Sequence, residues 1–101
     1  MTLGIRAAAV ILLATSIAGA AFAQERGADV YKAKCVRCHS ADGLGATPAA
    51  KSMGILSFKD PLILKWSDQQ FIDFTTKAYR NNGLSDAQIK DVVAYIRKLQ
   101  K

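Results

Sequence analysis

The stretch Cys35-Val36-Arg37-Cys38-His39 decides how the chain folds, because it contains both cysteines and the only histidine among the 101 residues. Two cysteines separated by two residues occur in disulfides, in redox-active pairs, in zinc sites and at covalent links to a prosthetic group. The histidine that follows the second cysteine, together with the sequence on either side, distinguishes these possibilities.

The competing sites need elements or ligands that this sequence does not supply. A thioredoxin-like redox pair normally lies beside a βαβ pattern, and the chain has no alternating strand pattern. A structural zinc site usually has four Cys or His ligands, whereas the chain offers two cysteines and one histidine. A disulfide across two intervening residues closes a very short loop, which constrains the unfolded chain least. Cys-x-x-Cys-His is instead the attachment signature of haem c.

The signature has a direct chemical meaning. Cys35 and Cys38 would each add a thiol to one vinyl group of the haem, which gives two thioether bonds, and His39 would bind the iron as its proximal ligand. One covalent haem c is therefore the expected cofactor. Such a group would also stabilise a domain too small to bury a large core.

The N-terminal residues have the pattern of a secretory signal peptide. Arg6 precedes the apolar residues 7–14, and small residues lead to Ala21-Phe22-Ala23, an Ala-x-Ala cleavage site. The apolar run is shorter than the roughly 20 residues that a membrane-spanning helix needs. We therefore predict a signal peptide over residues 1–23, a periplasmic domain over residues 24–101 and no stable membrane insertion after cleavage.

The remaining residues predict an all-α domain. Residues 27–35 have the spacing of a short helix that leads into the cysteine motif. Between residues 40 and 65 the periodicity fades and Gly and Pro interrupt the chain, as in a segment that wraps a cofactor. A capping box, Ser followed three residues later by Gln, begins two further helices at Ser67 and Ser85. The helix after Ser85 has an apolar stripe made of Ile89, Val92, Val93, Ile96 and Leu99.

On these residues the chain resembles the small class I c-type cytochromes of bacterial periplasms. The similarity rests on residues 27–48, GADVYKAKCVRCHSADGLGATP, and on residues 84–99, LSDAQIKDVVAYIRKL. The resemblance implies a cytochrome c-like fold in which the N- and C-terminal helices cross over a covalently bound haem. It also implies that Gly27 and Tyr31 of the first helix meet Tyr95 of the last.

The sixth iron ligand is the point at which the chain departs from this family. Class I cytochromes place a methionine in the loop before the last helix, and residues 75–83 contain none. Three states of the sixth position stay open. Met53, fourteen residues after His39, could reach it; the position could be open or water-filled; or Lys77 or another weak donor could bind.

The resemblance implies a one-electron carrier between redox partners rather than an enzyme. The alternative is a haem protein whose open sixth position binds or senses a small gas ligand. The formal net charge of +6 comes from dispersed basic residues, which favours an acidic redox protein over nucleic acid as the partner. We expect a monomer.

The hypothesis that Met53 binds the iron makes a definite prediction. Met53→Ala would then shift the reduction potential markedly, because a thioether ligand holds the potential higher than a nitrogen or oxygen donor does. Potentiometric titration of the wild type and the variant measures the shift. An unchanged potential removes Met53 from the coordination sphere.

Overall fold

The structure, a computed structural model, describes residues 19–79 and 83–101, and within these ranges it contains helices and no strand. The all-α prediction is confirmed. Most of the predicted signal peptide, residues 1–18, lies outside the described residues, and cleavage after Ala23 stays a prediction. The helices are α1 (helical over residues 19–34), α2 (Val36–His39), α3 (Pro48–Met53), α4 (Pro61–Leu64), α5 (Asp68–Tyr79) and α6 (Asp86–Leu99).

Helix α1 packs against α6 through a glycine. A Cβ atom added to Gly27 would overlap the backbone carbonyl oxygen of Asp91 and would lie 3.0 Å from the Cβ of Tyr95. The rings of Tyr31 and Tyr95 are 5.2 Å apart between centroids. Arg26 adds an ion pair across the same contact, with its Nε 2.9 Å from Oδ2 of Asp91. The predicted meeting of Gly27 and Tyr31 with Tyr95 is confirmed.

Both predicted capping boxes are present. The N–H of Ser67 donates to Oε1 of Gln70 at 2.8 Å, and the N–H of Gln70 donates to Oγ of Ser67 at 3.1 Å. Ser85 and Gln88 form the same pair of bonds at 2.8 and 3.1 Å. Each box satisfies two of the N–H groups that the first helical turn leaves without a partner.

Arg97 of α6 ties that helix to the beginning of α5. Its Nε donates to Oδ1 of Asp68 at 2.7 Å, and Nη2 donates to the backbone carbonyl of Trp66. The guanidinium also lies 4.7 Å above the centroid of the Phe71 ring, a cation–π geometry. These contacts join residues about thirty positions apart in the chain and fix how α5 lies against α6.

The segment between residues 40 and 65 contains two short helices that the sequence pattern did not reveal. Each begins with a proline, which suits the first helical turn because its φ angle is already helical and its missing N–H has no helical partner to lose. The side chain of Thr47 caps α3 by accepting from the N–H of Ala50, and that of Asp60 caps α4 by accepting from the N–H of Leu62. Helices of six and four residues are too short for an apolar period to be visible.

The buried core lies where α1, α5 and α6 meet around the cysteine motif. The stripe predicted for α6 is confirmed, because its first four positions are buried and Leu99 is half-buried. None of the helices in the two described ranges is long and apolar enough to cross a membrane. The core cluster consists of Tyr31, Cys35, Phe58, Phe71, Val92, Val93 and Ile96.

We expect Gly27→Ala to destabilise the protein strongly. The new methyl group would meet the Asp91 carbonyl, so α1 and α6 would have to separate, which lowers the free energy of unfolding by about 3 kcal/mol. Gly54→Ala is the matched control, because Gly54 has nothing within 4 Å of an added Cβ and a φ of 67°. There the cost is about 1 kcal/mol, from backbone strain alone. Denaturant unfolding followed by circular dichroism measures both, and equal losses would contradict the close packing of α1 on α6.

Candidate functional site

An apolar cavity of about 660 Å³ lies between two pairs of packed helices, α2 with α3 and α5 with α6. All four site residues predicted from the sequence line it, together with apolar side chains from both pairs. The predicted residues in its lining are Cys35, Cys38, His39 and Met53.

The two cysteines are free thiols held by one turn of backbone. The carbonyl of Cys35 accepts the N–H groups of Cys38 at 3.2 Å and His39 at 2.9 Å. Cys35 itself continues from α1, because its N–H donates to the carbonyl of Tyr31 at 2.8 Å. Burial raises the pKa of the Cys35 thiol, which keeps it protonated at neutral pH. The turn therefore presents both sulfurs and the imidazole to the same cavity.

His39 has the properties of a neutral nitrogen ligand. Burial lowers its pKa, so the imidazole is uncharged at neutral pH. Its ring stacks on that of Phe58 at 4.6 Å with an angle of 18° between the planes. Its Nδ1 is buried and has no hydrogen-bond partner among the described residues; such a group costs about 1–3 kcal/mol. The resemblance to class I cytochromes also implies that the Pro48 carbonyl accepts a hydrogen bond from this imidazole, and the structure does not form that bond.

The loop after the motif is tied back to the cysteine turn, a feature that sequence reasoning missed. The hydroxyl of Tyr31 donates to the carbonyl of Ser40 at 2.6 Å, where the chain turns with a φ of 65°. The N–H of Gly45 donates to the carbonyl of His39 at 3.0 Å, and the hydroxyl of Thr47 donates to the backbone carbonyl of Cys38. These bonds attach the beginning of α3 to the segment that carries the histidine.

The candidates for the sixth ligand lie in different places. Met53 is the last residue of α3 and lines the cavity with 69% of its surface exposed. Lys77 is exposed and does not line the cavity. The structure thus brings Met53 to the cavity on the helix pair that also carries His39, and it does not bring Lys77 there.

The wall made by α5 and α6 contains residues that were not recognised from the sequence. Thr75 is buried, and Tyr79 donates from its hydroxyl to the carbonyl of Lys34 at 3.2 Å. Burial raises the pKa of the Tyr79 phenol. Positions 71, 75 and 78 fall on one helical face, so spacing alone could have placed Thr75 beside Phe71. The α5 and α6 residues of the lining are Phe71, Phe74, Thr75, Ala78, Tyr79, Val92 and Ile96.

These residues fit a haem group. The cavity offers mainly apolar walls, two thiols at the spacing of the attachment signature, and one buried neutral imidazole without a partner for Nδ1 among the described residues. Cys35 and Cys38 would hold the group through thioether bonds, and His39 would bind its iron.

Comparison with known proteins gives an independent result. A family model described as Cytochrome c matches residues 24–100 of the chain. No curated protein and no solved structure shows a significant match. The matched range contains the cysteine turn, all the cavity-lining residues and both ends of the α1–α6 contact.

We expect either cysteine alone to be sufficient for a covalent link, and at least one of the two to be necessary. Cys35→Ala and Cys38→Ala each leave one thiol to add to one vinyl group, so each variant keeps haem through a single thioether, whereas the double variant keeps none. Mass spectrometry of the denatured protein counts the covalent adduct, and the alkaline pyridine absorption band reports how many vinyl groups remain free. Covalent haem in the double variant would contradict the assignment.

Proposed function

The chain belongs to the cytochrome c family, and from this we propose that it carries single electrons between redox partners by means of one covalently bound haem c. The observation that carries the proposal is the turn at Cys35, which brings two thiols and a neutral imidazole to one apolar cavity. We further propose that the signal peptide is cleaved after Ala23 and that the mature domain works as a monomer in the periplasm.

Each part of the site would have a distinct role. The bound haem supplies a reversible one-electron change of its iron. Cys35 and Cys38 would keep the group attached in both redox states, and the imidazole of His39 would give the iron a constant ligand on one side. The apolar residues around the cavity would exclude bulk water from the haem, which disfavours the more highly charged oxidised state.

Electron transfer is a better proposal than catalysis. The only histidine of the chain would be committed to the iron, and the sequence holds no Ser/His/Asp set or phosphate-binding loop. Among the described residues, the ionisable groups of the main cavity are the two cysteines, His39 and Tyr79. Three of these four would be used to hold the haem.

An acidic redox protein is the partner that the surface charge favours. A second, smaller cavity of about 450 Å³ adjoins the first, since Cys38 and Tyr79 line both. The basic residues of its lining stand beside a proposed attachment point of the haem, where an electron would have a short path out. Opposite charge on a partner would speed encounter there. The smaller cavity is lined by Lys32, Ala33, Lys34, Val36, Arg37, Cys38 and Tyr79.

The direct test is a redox titration of the protein produced in a host that attaches haem c. We expect one covalent haem per chain and a reversible transition that fits a one-electron Nernst curve. The intact mass of the same sample also locates the N-terminus and so tests cleavage after Ala23. A chain that folds without covalent haem, or a haem that cannot be cycled, would overturn the proposal.

We expect charge reversal beside Cys38 to slow electron transfer to an acidic partner. In Lys34→Glu/Arg37→Glu, the second-order rate measured by stopped flow at low salt should fall roughly tenfold, because electrostatic steering is lost. The difference should shrink at high salt, where exposed charges are screened. Lys90→Glu/Lys98→Glu is the control with the same change in net charge, at two exposed lysines of α6 that line neither cavity. An equal effect of the control would show that net charge, and not this surface, matters.

A further inference from the structure

Thr75 is one of two hydroxyl-bearing residues in the α5–α6 wall of the cavity, the other being Tyr79. Among residues 19–79 and 83–101 the buried side chains with a hydroxyl group are Tyr31 and Thr75, and Thr75 has 9% of its surface exposed. It lines the main cavity. Its hydroxyl makes no hydrogen bond with a described residue, whereas the neighbouring Thr76 hydroxyl donates to the carbonyl of Ile72 at 2.7 Å. His39 Nδ1 is the one fully enclosed side-chain N or O atom without a partner among the described residues, so the Thr75 hydroxyl is not sealed within the protein and is accessible to a ligand in the cavity that Thr75 lines.

Thr75 and Thr76 therefore differ in how their hydroxyl groups are hydrogen-bonded. Thr76 uses the bond to the carbonyl four residues earlier that a helical threonine ordinarily makes. Thr75 could make the equivalent bond to the carbonyl of Phe71 and does not. Its hydroxyl, which can donate one hydrogen bond and accept others, is left available to whatever occupies the cavity.

Thr75 and His39 come from different helix pairs. His39 ends α2, and the hydrogen bonds of Gly45 and Thr47 hold α3 against that same segment. Thr75 belongs to α5, which packs on α6. The cavity lies between the two pairs. A haem bound through His39 would therefore have the α2–α3 pair on one side and the α5 wall, with Thr75 in it, on the other.

Among the described residues, the α5–α6 wall offers no good iron ligand. Its lining residues are apolar except for the two hydroxyl groups of Thr75 and Tyr79. The Tyr79 hydroxyl already donates to the carbonyl of Lys34 at 3.2 Å. Met53, the remaining thioether, stands on α3, in the pair that carries His39. A neutral threonine hydroxyl is a weak metal ligand and a good hydrogen-bond donor.

We propose that the sixth position of the haem iron is open to a small exogenous ligand, and that the hydroxyl of Thr75 donates a hydrogen bond to that ligand. The ligand class is a molecule of one or two heavy atoms with a lone pair, such as water or a diatomic gas, held between an apolar wall and one donor. This inference rests on the proposed function in one respect, because it requires the haem that Cys35, Cys38 and His39 would hold.

Carbon monoxide is the probe that tests the proposal. The full chain is produced with covalent haem, reduced and exposed to CO, and the C–O stretching frequency and the rate of CO loss are measured. We expect prompt binding in the wild type. In Thr75→Val, which keeps the shape of the side chain and removes the donor, the frequency should rise and CO should leave roughly three- to tenfold faster, the effect of one hydrogen bond.

Two further variants separate the hydrogen bond from packing. Thr75→Ser keeps the hydroxyl and should retain the wild-type frequency and rate. Thr76→Val makes the same substitution one position along α5, at a hydroxyl that serves the helix itself, and should also behave as the wild type. If Thr75→Val matches Thr76→Val in both frequency and rate, Thr75 does not contact the ligand and the proposal is overturned.

The remaining outcomes distinguish failure of this proposal from failure of the proposed function as an electron carrier. A wild type with covalent haem that stays low-spin and resists CO has a protein ligand at the sixth position. That result overturns the inference and does not affect the proposed function as an electron carrier. Met53→Ala would then test whether Met53 is the ligand. A wild type without covalent haem overturns both.

Discussion

The hydrogen bonds from Cys38 and His39 to the carbonyl of Cys35 are the constraint on which the rest of the structure depends. They close a single helical turn, which fixes the backbone positions of the two cysteines and the histidine relative to each other through local contacts alone. A short rigid turn is a local structure, so its cost in chain entropy is small. What it cannot supply is a wall opposite the histidine, and that wall has to come from distant parts of the chain.

The distant parts are brought in by two contacts of different kinds. Gly27 lets α1 approach the backbone of α6 more closely than any side chain would allow, and this fixes α6 relative to the cysteine turn. Arg97 then fixes α5 relative to α6 through Asp68, the Trp66 carbonyl and the Phe71 ring. The helices that line the cavity are thus held together by contacts that lie outside the cavity itself.

Features that depend on residues close together in the sequence were predicted, and features that depend on residues far apart were mostly missed. The capping boxes at Ser67 and Ser85 were predictable because both partners lie within four residues. The meeting of Gly27 with Tyr95 was predictable only through a family resemblance, since no local pattern encodes it. Helices α3 and α4 were missed because one or two turns carry no period. Thr75 was missed because its burial depends on how α5 lies against α6, and that packing is set by the bond between Arg97 and Asp68, which are 29 residues apart in the chain.

Because the cavity lies between two helix pairs, the residues proposed to attach the haem are separate from those that would set polarity and ligand access. The groups proposed to hold the haem all lie in the turn that begins at Cys35, whereas the wall proposed to face the sixth position lies in α5. Substitutions at positions 71, 74, 75 and 78 could therefore change polarity and ligand access without touching the attachment turn. Because a hydroxyl can donate a hydrogen bond without binding the iron strongly, Thr75 would add polarity to this wall and leave the proposed sixth position free. Electron transfer and small-ligand binding would then be compatible uses of one cavity.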